Sequence, residues 1–88
     1  MNDIYKNDKV YIIGSTHESG RIFYMFDTHD CNTKYLFNGC SSIEEVLNDK
    51  NTVIFKTLDE AKRIREEIIE KTVYPICIRL RDKSITRE

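Results

Sequence analysis

The chain has no tryptophan, one proline and three glycines in 88 residues. So few backbone-breaking residues exclude a collagen-like repeat or a Pro/Gly-rich linker. Cysteine is scarce too: Cys31, Cys40 and Cys77 make an odd number with no C-x-x-C, which argues against a disulfide framework, a thioredoxin-type site and a zinc knuckle. No stretch approaches the ~18 apolar residues of a membrane-spanning helix. The opening residues Met1–Asp8 are polar and acidic, unlike a secretory leader, so we expect a cytoplasmic protein with reduced thiols and no membrane. An excess of one charge sign is also missing. Fourteen basic residues face fifteen acidic ones, and the net charge is -1, less basic than a strong nucleic-acid binder.

What is present is globular. Hydrophobic residues make up 40% of the chain and nine aromatics are among them. At 10.4 kDa this is one domain over 1–88, with room for one modest core and little for a deep walled active site.

β-branched and aromatic runs mark the strands. Val10–Ile13 reads as the first and Arg21–Phe26 as the second, antiparallel to it by the short connection. Thr33–Phe37 reads as a third, stopped by the turn dipeptide Asn38-Gly39. All three glycines are read as turn positions. Ser41–Leu47 has the form of a short helix, with Ser42/Glu45 and Ser41/Glu44 as capping boxes. Thr52–Phe55 is a fourth strand. Thr57 and Glu60 then form a capping box for a long helix. Leu58, Ala61, Ile64 and Ile68 recur at its three- and four-residue spacing. Asp59→Arg63 and Glu67→Lys71 are favourable pairs one turn apart. Tyr74-Pro75 and two β-branched residues end it near Lys71. The fifth strand alternates Ile76, Ile78 and Leu80 with Cys77, Arg79 and Arg81, and 84–88 is read as a frayed tail. The expected fold is therefore α+β: an antiparallel sheet of about five strands with one long amphipathic helix and one short one, ordered β-β-β-α-β-α-β.

Both faces of the first two strands carry bulk. Val10 and Ile12 go with Ile22, Tyr24 and Phe26; Tyr11 and Ile13 go with Phe23 and Met25. A one-sided sheet alternates apolar with polar, so the second face needs a cover: the C-terminal tail, a second copy or a partner. This makes Tyr11, Ile13, Phe23 and Met25 the expected interface.

The stretch Val53-Ile-Phe-Lys-Thr-Leu-Asp-Glu-Ala-Lys-Arg-Ile-Arg65, followed by Tyr74-Pro-Ile-Cys-Ile-Arg79, resembles a module of small phage-encoded proteins. There a strand ending in Phe leads through a Thr cap into an Asp/Glu-Ala helix and a short strand, and Lys9-Val-Tyr-Ile-Ile13 is similar to their opening. The resemblance implies an accessory protein in the host cytoplasm that modulates host machinery or blocks a host defence by binding. It carries no catalytic or binding residues to transfer.

Candidate chemistry is sparse. His29, Cys31 and Cys40, with His17 as a fourth, are the best metal candidates, but their spacing matches no usual zinc pattern and we expect no metal. Cys31, His29 and Asp27 or Asp30 lie close in sequence, yet an Asp-x-His-Asp-Cys loop is more often a turn than a nucleophile with its base. No Gly-rich phosphate loop exists, and the paired carboxylates Glu44-Glu45 and Glu66-Glu67 read as solvated faces. We expect no enzyme and no cofactor.

Charge is unevenly spread. Residues 1–55 hold five basic and eight acidic side chains, and residues 56–88 hold nine basic and seven acidic. Arg79, Arg81 and Lys83 fall at alternate positions, on one face of a strand. They form either a solvated outer face or a basic stripe toward phosphate or an acidic partner. Tyr11, Phe23, Tyr24, Tyr35 and Phe37 fit core or dimer packing, or stacking with bases. The leading reading is a non-enzymatic binder of a host protein, with a homodimer as one form of the interface. RNA binding through Arg79, Arg81 and Lys83 is the alternative, and an oligomeric sponge for a nucleotide signal is the third.

Overall fold

A computed structural model describes residues 8–27, 35–69 and 71–88. Five strands and two helices follow in the order β1 (Lys9–Thr16), β2 (Ile22–Asp27), β3 (Tyr35–Cys40), α1 (Ile43–Asn48), α2 (Leu58–Glu66), β4 (Tyr74–Arg79) and β5 (Ile85–Arg87). The fold is α+β with one five-stranded antiparallel sheet, ordered β3-β2-β1-β4-β5. No described helix is long and apolar enough to cross a membrane.

β1, which has the longest buried run, is central. Its alternation feeds two cores, one on each face of the sheet. Val10 and Ile12 join Ile22, Tyr24, Cys40, Val46, Ile76 and Ile78 on one face, which α1 covers through Val46. Tyr11 and Ile13 join Met25, Phe55, Ala61, Ile68, Val73 and Cys77 on the other, under α2. Each fully buried Ile, Met or Val side chain contributes about 1.5–3 kcal/mol. The chain therefore supplies the cover that the second face needs. Neither a second copy nor a partner is required to hide it.

Local chemistry explains both helix starts. Ser42 accepts from the Glu45 N–H (3.3 Å), while a Glu45 carboxylate oxygen accepts from the Ser41 N–H (3.2 Å). Thr57 Oγ1 accepts from the Glu60 N–H (3.3 Å). Asp59 and Glu60 sit in the first turn of α2, where the helix dipole favours them.

Four expectations are corrected. Thr52–Phe55 is not a strand. β1 and β2 pair only through Gly14↔Tyr24, Ser15↔Phe23 and Thr16↔Ile22. Below Gly14 they part, and residues 51–55 run between them. Asp27 N–H donates to Asn51 O (2.9 Å) and Val53 N–H to Met25 O (3.1 Å) on the β2 side. Tyr11 and Phe55 exchange both backbone bonds (2.9 and 2.8 Å) on the β1 side. This wedge satisfies polar groups that the splay would otherwise leave unpaired. Second, Asn38-Gly39 does not stop β3, because both residues pair with β2 opposite Tyr24 and Phe23. Gly14 and Gly39 are strand residues, and only Gly20 (φ 90°) takes the left-handed turn conformation. Third, α2 ends at Glu66, not near Lys71. Fourth, the end of the chain is not frayed: Ile85, Thr86 and Arg87 pair with Ile78, Cys77 and Ile76.

A charged rim as the candidate functional site

The antiparallel register of β1 with β4 sets Lys9 directly opposite Arg79. The next pair on that face, Tyr11 and Cys77, is buried. The two cations therefore mark the border where the sheet leaves the core. Like charges directly opposite each other on neighbouring strands oppose folding.

A tight turn closes the rim beyond Arg79. The Arg79 N–H donates to Ser84 O (2.9 Å), and the Leu80 N–H donates to Asp8 O (2.8 Å). Asp82 Oδ1 accepts from the Ser84 hydroxyl (2.8 Å) and the Ser84 N–H (3.1 Å). Those two bonds, hydroxyl first, hold the Asp82 carboxyl below the usual carboxylate range, with the Arg79 charge adding to them. Asp82 is thus kept as an anion. Two rim residues take the left-handed conformation without being glycine, Asp8 and Lys83, each at φ 58°. Aspartate tolerates it through its short polar side chain; lysine is strained there.

Asp8, Lys9, Arg79, Arg81 and Asp82 line a cleft of about 400 Å³. Arg81 Nε lies 3.4 Å from Asp8 Oδ1, with both side chains well exposed, so this ion pair adds little stability. A second cleft of about 540 Å³ shares Lys9 and is lined further by Tyr11, Lys56, Thr57, Leu58 and Glu60. Lys9 is the ridge between them. The rim thus gathers Lys9, Lys56, Arg79 and Arg81, interleaved with Asp8, Asp82 and Glu60.

The structure brings some of the expected site residues together and disperses others. Tyr11, Ile13 and Met25 do not form an exposed interface: they are 8%, 0% and 0% exposed, inside the core beneath α2. Phe23 is half-buried and meets the His17 ring edge-on, 5.1 Å between centroids. The reason is the wedge and α2, which together supply apolar surface from Val53, Phe55, Leu58, Ala61 and Ile64. Of the basic stripe, only Arg79 is on a strand. Arg81 lies in the turn and Lys83 beyond it, so the alternation stops at Arg79 and the expected single strand face is not formed. Arg79 and Arg81 nevertheless share a cleft.

His29 and Cys31 lie outside the described residues, as does Asp30 of the loop considered for nucleophilic catalysis. Cys40 is buried and its Sγ donates to Ser42 O (3.3 Å); burial pushes its thiol up, away from reactivity. Among the described residues no three His, Cys, Asp or Glu side chains gather as a metal site. Cys77 is buried as a small hydrophobe under α2. Sequence reasoning missed Lys9, Asp8 and Asp82. The only signals were a lysine opening one strand and an arginine closing another, and these meet only once the β1–β4 register is known.

No family model matches the chain, and no curated protein or solved structure matches it either.

Proposed function

We propose that this is a non-enzymatic binding protein that grips a carboxylate-rich segment of another protein at the charged rim. The observation that carries the reading is the Lys9–Arg79 pair. Two cations set opposite one another in the β1–β4 register, on a rim that also strains Lys83, oppose folding, and arrangements of that kind concentrate where a surface serves binding. An acidic side chain seated between them removes the repulsion, and Arg79 can meet it with two parallel bonds.

The mixed signs favour a protein over a nucleic acid. Asp8, Asp82 and Glu60 would confront a phosphate backbone, which has no cation to offer them. A peptide segment can present both signs. The resemblance of Val53–Arg65 and Tyr74–Arg79 to phage accessory modules supports a role in modulating a host protein.

Binding of two probes at low salt tests this: a glutamate-rich peptide and a single-stranded RNA oligonucleotide. The reading expects peptide binding that Lys9→Glu and Arg79→Glu each abolish. RNA binding alone would move the function to the alternative through Arg79, Arg81 and Lys83. Binding of neither probe would overturn the rim as an anion-recognition surface.

A further inference from the structure

We infer that β3 is the pairing edge for a second copy of this chain. With both faces of the sheet covered, its edges are what remain for strand pairing, and the two edges differ. The β5 edge has three residues, one of them Arg87, whose guanidinium lies 4.0 Å over the Tyr74 ring. A short, charged edge of this kind is a common way to prevent pairing.

The β3 edge lacks those devices. Its six residues, Tyr-Leu-Phe-Asn-Gly-Cys, include no charge and no proline. Leu36 is 45% exposed, one of two large hydrophobic residues so exposed among those described. No described strand pairs with its outer side. One partial shield exists. Asn38 Oδ1 accepts from the Gly39 N–H (3.0 Å), while its Nδ2 donates to the Tyr24 hydroxyl (3.3 Å). That occupies the Gly39 end and leaves the Tyr35–Phe37 end to pair.

The missing charge selects the occupant. Antiparallel pairing of β3 with its own copy across a two-fold axis sets identical residues near one another. Any charged residue would then meet its own sign, and β3 has none. A partner strand chosen for opposite charge would find nothing on β3 to answer it. Self-pairing buries Leu36 twice and joins the two five-stranded sheets into one. The rim lies on β1 and β4, away from this edge, so each copy keeps its own binding surface.

Light-scattering mass over a range of concentrations, on the whole chain and on Leu36→Lys, tests the proposal. The expected result is a dimer for the wild type and a monomer for Leu36→Lys, with Lys9→Glu still a dimer. Amide exchange at residues 35–37 of the wild type provides a second reading that needs no variant. Protection there should rise with protein concentration. A wild type that stays monomeric would overturn the proposal. So would a dimer whose amides at 35–37 gain no protection, or protection that appears only when a different protein is added.

Discussion

Gly14 is the point at which three backbone segments converge. A Cβ built on it would lie 1.8 Å from the Phe23 carbonyl oxygen and 3.1 Å from the Tyr24 Cα. The obstruction is backbone, so no side-chain rotation relieves it, and the strands part just below this residue. Gly14→Ala is expected to lower stability by at least about 1–3 kcal/mol in urea unfolding, because the pair must separate to admit one methyl group. Lys83 presents the opposite case. At φ 58° its Cβ is strained, and its neighbourhood is exposed. Lys83→Gly should raise stability by up to about 1 kcal/mol, less what the unfolded chain gains in freedom. A drop in the melting temperature would show that the Lys83 side chain holds the turn.

Two further residues set a pH dependence. The Tyr24 hydroxyl donates to Asp49 Oδ2 (2.7 Å). The Asn51 N–H and then that hydroxyl hold the Asp49 carboxyl below its ordinary range. Burial and the Asp49 bond raise the tyrosine, so it stays a donor at neutral pH. A carboxyl group whose folded value is depressed adds stability above its unfolded value and loses it as pH falls through the folded one. Asp49→Asn should therefore flatten the acid limb of a stability–pH curve while lowering the neutral plateau. Tyr24→Phe should cost about 1–2 kcal/mol at pH 7, measured by denaturant titration.

At the scale of the element, α2 shows where a sequence pattern stops informing. The stripe Leu58, Ala61, Ile64 and Ile68 did mark the buried face, since all four enter the core under the sheet. The helix nevertheless ends at Glu66, because Arg65 turns back on its own chain. Its Nε donates to Val73 O (2.6 Å), and its two terminal nitrogens reach Ile68 O and Lys71 O (both 3.4 Å). That clasp ties Ile68, Lys71 and Val73 to the end of α2, and Ile68 reaches the core from outside the helix. Nothing in residue spacing announces a side chain satisfying three carbonyls. Arg65→Ala is expected to cost about 1.5–3 kcal/mol, and Arg65→Lys should not restore it, because the ammonium lacks the planar fork. The wedge teaches the same lesson. Thr52–Phe55 has strand composition, yet whether it pairs along its length depends on how far β1 and β2 splay. That is a property of Gly14 and the sheet together.

At the scale of the molecule, the double apolar alternation of β1 and β2 was legible: Val10, Ile12, Ile22, Tyr24 and Phe26 share one core and Tyr11, Ile13 and Met25 the other, while Phe23 joins neither. What the alternation could not tell was who covers the second face. The answer depends on chain path, and α1 and α2 lie on opposite sides of one sheet. With both faces covered, the proposed binding surface lies at the border of the sheet, where stability and binding pull in opposite directions. Lys9→Glu turns a like-charged pair opposite Arg79 into an attractive one. That exchange should stabilise the fold by about 0.2–1 kcal/mol in denaturant titration. The same change inverts the ridge between the two clefts and should abolish capture of the glutamate-rich peptide. A variant that gains stability and loses binding is the signature of a surface kept for its partner and not for its fold. If Lys9→Glu were instead less stable, the two cations would not repel each other in the folded chain, and the physical case for the rim would fall with that result.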